Sequence, residues 1–531
     1  MFQIKLTYNL GAEWYTCDES YVKGYAYTTI GEFYREKNLL DILSSHPTAS
    51  SLKSILKSLD GCFSFIINYE NTIFLGVDKA RSFPLFYTLL ENRFIVSDNI
   101  HYFQNLMITN ILENSKNEFL SAGTVFGNKT LFENIYEVEA GSFNMFSEEN
   151  ITKIEYFDFI TRYVSKNDYN NQKLNLEAVF NSIFKSLSNE LKKHKVVLPL
   201  SGGYDSRLIA VMLKKYGITN VLCYTYGNKE NQEVEISKEV AKRLGFEWIF
   251  IEYSQELIDG YDETNTFQEF YKYASGGVSQ FFMQEFFAVR YLKENNLVPE
   301  ISIFLPGYAG DFLGGDHITK YFLKEKMSLT SCKNRIFRYL IDYCPPTKKV
   351  QKSLKKQITQ KIEKNPKETS YNYSFVENWD YKEKLVKLII NTAKTFDFFG
   401  YQYCLVFWNN MFIDFSRELP LKYKKYSKIY YEVLEELFKE SNVAFEKELK
   451  PVKKDYRLKK FKDSLKLLLG LKLGKPRGKK TDKYNSNISV RKVLGPKLNE
   501  GIPNISLSQI SNNMIITKWY IEQIEKQSKA Q

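Results

Sequence analysis

The chain has 531 residues, 44% hydrophobic and 26% charged, with a net charge of +12. That balance excludes a disordered, collagen-like or disulfide-miniprotein chain, and at about 150 residues per domain the length implies roughly three domains. No stretch reaches the roughly 18 uninterrupted apolar residues of a spanning helix, and MFQIKLTYNLGAEW lacks the basic-then-apolar pattern of a secretory signal, so a cytoplasmic location is expected. Cys17, Cys62, Cys223, Cys332, Cys344 and Cys404 include no CxxC pair, which suits a reducing compartment and argues against zinc. His46, His101, His194 and His317 are equally scattered.

In chain order, residues 1–165 read mainly as β. CFSFIINY (62–69), TIFLGVD (72–78), PLFYTLL (84–90) and RFIVSD (93–98) are aromatic or branched runs separated by turn residues. Their continuous apolar character predicts a sheet covered on at least one face. Leu176 to Lys193 carries apolar residues at helical spacing. The rhythm then becomes strand–helix–strand. Val196–Leu200, Val221–Tyr226 and Trp248–Tyr253 are predicted strands; Asp205–Tyr216 and Glu233–Leu244 are predicted helices stopped by Gly217 and Gly245. Such alternation implies a parallel doubly wound sheet with its sites at the carboxyl ends of the strands. Ile301–Pro306 reads as a further strand entering a glycine-rich loop, and beyond about residue 320 the pattern is mostly helical.

The positive charge is concentrated late. From Lys447 to Lys497 there are eighteen Lys/Arg against four acids, which leaves the rest of the chain close to neutral. Such a segment suits phosphate, nucleic acid, an anionic membrane face, or no partner beyond solvent. Within it, the leucine-rich stretch Lys459–Leu473 is a candidate for lying on the inner face of a membrane. LKLGKPRGKKTDKYN (471–485) has linker composition.

Two loops carry chemistry. Ser201-Gly202-Gly203-Tyr204-Asp205-Ser206 lies between the first parallel strand and its helix. Its glycines permit a tight turn with bare N–H groups, and the following helix directs its positive end to the same place. Ser201 and Ser206 add hydroxyls, and Asp205 can hold a magnesium ion. The loop is an anion cradle but neither GxxxxGK[ST] nor GxGxxG. The second loop, Leu305 to Gly315, carries Asp311 amid four glycines.

The first loop resembles the SGGxDS pyrophosphate loop of ATP-pyrophosphatases, and the second is similar to the SGEGADELFGG loop of asparagine synthetases. Upstream, DGCFSFI…FLGVDKARSFPLFY…RFIVSDN (60–99) and LFENIYEVEAGS (131–142) are similar to the glutaminase domain of that family. The resemblance implies an α/β and α+β architecture: an Ntn-hydrolase-like β-sandwich (1–165), a doubly wound parallel-sheet ATP-pyrophosphatase domain with a helical C-terminal part (175–440), and a basic C-terminal extension (441–531). It implies ATP and Mg2+, with Leu200, Ser201, Gly202, Gly203, Asp205, Ser206, Tyr226 and Gly307 at the nucleotide and Asp205 and Asp311 at the metal. Glu233 takes the place of the family glutamate before the second helix, and Arg207 is a further candidate for touching phosphate or acceptor. Lys453 or Lys454, in PVKKD, falls near the family's late active-site lysine. That cation would face the charge developing on the α-phosphate.

The chain also departs from the family. Position 2 holds Phe2 where glutamine-dependent members have the nucleophilic cysteine, so a degenerate glutaminase domain is expected. Tyr308 stands at the family glutamate, as in β-lactam and carbapenam synthetases. There the tyrosine pairs with a glutamate to help deprotonate an amine; Glu377 is one candidate partner here, and plain packing over the nucleotide is the competing role. Gln402 to Asn409 replaces the charged ExRxPFLD motif, with Gln for Glu, Cys for Arg and Asn for Asp. SGGYDSR and PGYAGDFLGG also look like asparagine synthase-like proteins of surface-polysaccharide clusters. The implied function is an ATP-dependent, AMP- and pyrophosphate-forming amide ligase joining a carboxylate, for example of a sugar, to ammonia or an amine, without its own glutaminase. Alternatives are a β-lactam- or lasso-type intramolecular cyclase, a tRNA-modifying enzyme, against which the front half argues, and a non-catalytic scaffold.

Overall fold

The computed structural model describes residues 2–45, 48–107, 109–147, 150–318, 326–340, 343–344, 346–363, 371–445, 490–498 and 511–530. In the front part, Asp60–Tyr69 and Thr72–Val77 form a hairpin, as do Phe86–Leu90 and Arg93–Ser97. The second closes through Glu91 (φ 48°) and Asn92 (φ 58°), the paired left-handed residues whose twist suits a two-residue hairpin.

These hairpins belong to two sheets. One runs Asn150–Glu155, Ser142–Ser147, Thr72–Val77, Asp60–Tyr69, Ser20–Tyr27, Trp14–Cys17, all antiparallel, with Phe33–Arg35 also pairing Ser20–Tyr27. The other runs Phe2–Lys5, Arg93–Ser97, Phe86–Leu90, Tyr136–Glu137. Ile66, Leu75 and Val77 of the first sheet and Tyr87, Phe94 and Val96 of the second share one apolar cluster. The two sheets therefore form a sandwich. Phe2 joins that cluster, stacked on Phe94 at 5.4 Å and edge-on to Phe146 at 6.2 Å.

The second part is built on a five-stranded parallel sheet in the order Glu247–Glu252, Val221–Gly227, Val196–Pro199, Ile303–Phe304, Gln402–Tyr403. Helix Tyr204–Lys215 follows the central strand. Gln232–Leu244 is capped by the Asn231 side chain and stopped by left-handed Gly245. Chain order reverses on the two sides of Val196–Pro199, so a topological switch point lies between this strand and Ile303–Phe304. Ligands of open α/β sheets bind in the crevice at such a point, and both glycine-rich loops leave the sheet there.

One apolar core runs from the first sheet through the parallel sheet to helix Asn512–Ala530. Polar bridges also join the parts. Arg35 reaches Gln402 and Glu190, both at 3.0 Å. The buried Asp60 accepts from Lys79 at 2.8 Å and from the Asn410 N–H at 2.9 Å. Among the described residues, no helix is long and apolar enough to cross a membrane. The stretch 459–485, with most of the basic segment, lies outside the described residues.

Candidate functional site

The first loop is held by its own hydroxyls. Ser206 Oγ accepts from the Ser201 N–H at 3.1 Å, and Ser201 Oγ accepts from the Gly203 N–H at 3.1 Å. Leu200 is buried beneath the loop, its N–H donating to the Tyr224 carbonyl at 2.9 Å. A methyl group on Gly202 would lie 3.0 Å from the Glu233 side chain, so the loop runs tight against the start of the next helix. Arg207 does not face this crevice. Its guanidinium, 1% exposed, donates to the Gly202 and Val443 carbonyls and lies over Phe438. It braces the loop from behind.

The second loop closes onto the first. The Asp311 N–H donates to Asp205 Oδ2 at 2.9 Å, and the Tyr430 hydroxyl donates to Asp205 Oδ1 at 2.7 Å. A Cβ on Gly310 would come within 2.7 Å of the Asp205 carboxyl, and one on Gly307 within 3.1 Å of Asp205 Cβ. Glycine is thus required by close approach. Between them Ala309 adopts φ 72°, left-handed backbone that costs a non-glycine residue about 1 kcal/mol or more.

Burial and the neighbouring Asp311 push the Asp205 carboxyl up to about 8. Burial and Asp316 raise Asp311 as well. Two carboxylates held this close resist ionising together, and a cation between them would relieve that. Among the described residues no group of three or more His, Cys, Asp or Glu is arranged to hold a metal. A pair of carboxylates completed by substrate phosphates is nonetheless the donor set magnesium commonly takes, so Asp205 and Asp311 fit such an ion.

Tyr308 precedes Asp311 in the second loop. It is half-buried, yet its hydroxyl is fully enclosed and has no hydrogen-bond partner. The carboxylate whose charge acts on it is Glu285, which also accepts from Tyr224 at 2.7 Å and from Tyr226 at 3.2 Å. Glu377 is engaged elsewhere. It takes Lys424 at 2.6 Å and His317 at 3.2 Å, and burial notwithstanding, Lys424 and the imidazole hold its carboxyl down to about 2.

The residues replacing the charged family motif serve the joint between the parts. Gln402 accepts from Arg35, Cys404 is buried, and Asn409 caps helix Asn410–Glu418 while donating to the Tyr27 hydroxyl at 3.2 Å. Lys453 and Lys454 lie outside the described residues.

In comparison with known proteins, the asparagine synthase family model matches residues 190–330, the stretch holding both loops. No curated protein matches the chain. Solved structures similar to part of it include NMN synthetase from Francisella tularensis, 15% identical, covering 40% of this chain and 95% of that one, with a TM-score of 0.20. The NH3-dependent NAD synthetase of Campylobacter jejuni is 18% identical over 40% of this chain and 96% of that one, TM-score 0.20. The U34-tRNA thiolase NcsA of Methanococcus maripaludis is 16% identical over 42% and 88%, TM-score 0.21. These structural likenesses are slight; the match at 190–330 is the one that bears on function.

Proposed function

We propose that the chain is an ATP-dependent amide ligase that adenylates a carboxylate, releasing pyrophosphate, and transfers the acyl group to an amine or ammonia. The observation that carries this reading is the Asp311 N–H on Asp205 Oδ2 at 2.9 Å, which closes the two glycine-rich loops into one anion site within the stretch matched by the asparagine synthase family.

In this reading Ser201, Gly202, Gly203 and Ser206 cradle the phosphates with backbone N–H and hydroxyl donors, while Leu200, Tyr226 and Gly307 border the nucleotide. Asp205 and Asp311 hold magnesium, which supplies neutralisation of the phosphate charge when bound. The substrate carboxylate attacks the α-phosphorus, the bond to the β-phosphate breaks, and pyrophosphate leaves. The amine nitrogen then attacks the acyl carbon, AMP departs, and the nitrogen loses a proton. What the protein contributes is positioning and charge balance. Tyr308 borders the acyl group in this scheme, and Lys453 or Lys454 is the proposed cation beside the α-phosphate. The front sandwich is read as a degenerate glutaminase-like domain, so the amine comes from another source. The proposed carboxylate substrate is a sugar carboxylate, on the resemblance of the two loops alone.

The test is carboxylate-dependent ATP–pyrophosphate exchange over a panel of aspartate, uronic-acid sugar nucleotides, β-amino acids and short peptides, with bulk tRNA alongside. Exchange with one carboxylate is the expected result. Exchange with tRNA alone, or with nothing while ATP still binds, overturns the reading.

A further inference from the structure

Buried carboxylates in this molecule usually have a cation or several N–H donors. Asp60 has Lys79, Glu137 has Arg81 and Lys387, and Glu377 has Lys424. Asp78 has no such cation but accepts from the backbone N–H groups of Phe63, Ala80 and Ser82.

Glu285 has neither. It is 6% exposed, and its hydrogen bonds come from the phenols of Tyr224 and Tyr226. No lysine, arginine or histidine among the described residues forms an ion pair with it. Leaving a carboxylate buried without a counter-charge is costly, and burial accordingly pushes this group up to about 7.

Its surroundings are aromatic and lie on the ligand side of the sheet. Tyr226 stands near the carboxyl-terminal end of Val221–Gly227, with Tyr224 two residues before it. Tyr226 stacks on Tyr253 at 5.0 Å with 14° between the rings. Tyr253 and Tyr308 both lie within the field of the Glu285 charge. Tyr226 and Tyr308 are the half-buried members of this group, and the enclosed Tyr308 hydroxyl lacks a partner. A carboxylate walled by phenol rings is the environment that favours an organic ammonium, through charge and through the negative faces of the rings.

We propose that Glu285, walled by Tyr226, Tyr253 and Tyr308, is the binding site for an alkylammonium group carried by the amine substrate. The assignment of that group to the amine substrate rests on the amide-ligase reading; the cation site itself stands on the missing counter-charge. A substrate with such a group would bring the charge that Glu285 lacks, three residues from Asp311 at its Tyr308 side.

The experiment is saturation-transfer NMR on the full chain, with butylammonium chloride as probe and butan-1-ol as its neutral counterpart. Wild type should bind butylammonium in preference to butanol. E285Q keeps an acceptor oxygen for one tyrosine, puts an amide donor opposite the other and removes the charge, and should weaken butylammonium binding about tenfold or more, the usual scale for losing a charged hydrogen-bond partner. E285D, which keeps the charge one methylene further back, should bind at intermediate strength and serves where E285Q does not fold. Equal binding of butylammonium to wild type and either variant, or of butanol and butylammonium to wild type, overturns the proposal. Carboxylate-dependent exchange without butylammonium binding overturns the cation site and leaves the ligase reading standing. Butylammonium binding that depends on Glu285, without exchange for any carboxylate, does the reverse.

Discussion

Asp205 and Asp311 are 106 positions apart in the chain, yet the backbone N–H of one donates to the carboxylate of the other at 2.9 Å. Because the bond comes from backbone, the Asp311 carboxylate is not spent on Asp205; its Oδ1 accepts from the Phe312 N–H at 2.7 Å. Replacing either residue with Asn leaves the shape and removes a charge. Exchange activity in D205N or D311N should fall by about a hundredfold or more, the scale on which a lost electrostatic partner of the reacting groups is felt. Exchange surviving in both variants would refute the shared role.

A different route to the same loss is steric. A methyl group at Gly310 would meet the Asp205 carboxyl at 2.7 Å and the Tyr430 hydroxyl at 2.9 Å. Gly310→Ala should cost about 1–3 kcal/mol of stability through overpacking and abolish nucleotide binding. Calorimetric titration with ATP and magnesium would check the binding, and denaturant unfolding the stability.

The pH dependence of the ligand-free protein follows from Asp205. Asp311, Asp316, Tyr430 and Tyr431 all face it, and its carboxyl stands at about 8 against an ordinary 3.8. The folded state therefore holds a proton that the unfolded chain gives up above about pH 4. The stability this supplies is complete below that pH and is lost as pH rises through about 8. D205N, which has no proton to lose, should gain melting temperature over wild type at pH 8.5 more than at pH 6. An equal difference at the two pH values would show that the carboxyl is not so perturbed.

Lys424 and Glu377 are 2% and 1% exposed and 2.6 Å apart. Lys424→Met leaves the carboxylate buried against His317 alone and should destabilise the fold by about 3–5 kcal/mol. The double variant K424M/E377L should recover much of that loss. Thermal melts of the three proteins measure the difference.

Much of the site could be read from the chain because glycine and strand–helix rhythm are local signals. The strand before Ser201 and the helix after it stand where expected, as do the left-handed stops at Gly217 and Gly245. The fifth strand, Gln402–Tyr403, is two residues long and leaves no periodic trace. Glu285 escaped for another reason: Tyr224 and Tyr226 reach it from 61 and 59 positions away, and nothing near it in sequence marks it as lacking a cation. The expectation that Arg207 touches a ligand failed because rings from later in the chain, including Phe438, cover its guanidinium. A hint for Tyr430 as an Asp205 donor was absent altogether, since a tyrosine on an amphipathic helix reads as core.

Helix Asn512–Ala530 packs one face, with Ile515, Ile516, Trp519, Tyr520 and Ile524, into the core. Tyr520 stacks on Phe119 at 5.4 Å, Trp519 meets Tyr271 at 5.0 Å and Phe281 at 6.1 Å, and the Tyr520 hydroxyl accepts from the Gly277 N–H at 3.2 Å. These partners emerge from the ribosome well over two hundred positions before the helix that covers them. Until that helix is made, the faces of Phe119, Tyr271 and Phe281 that it covers lack their partner, the kind of exposure that invites association between nascent chains. The fold closes here only once this late helix has been made, and a message cut short before codon 512 would yield a sandwich and a sheet with an open seam.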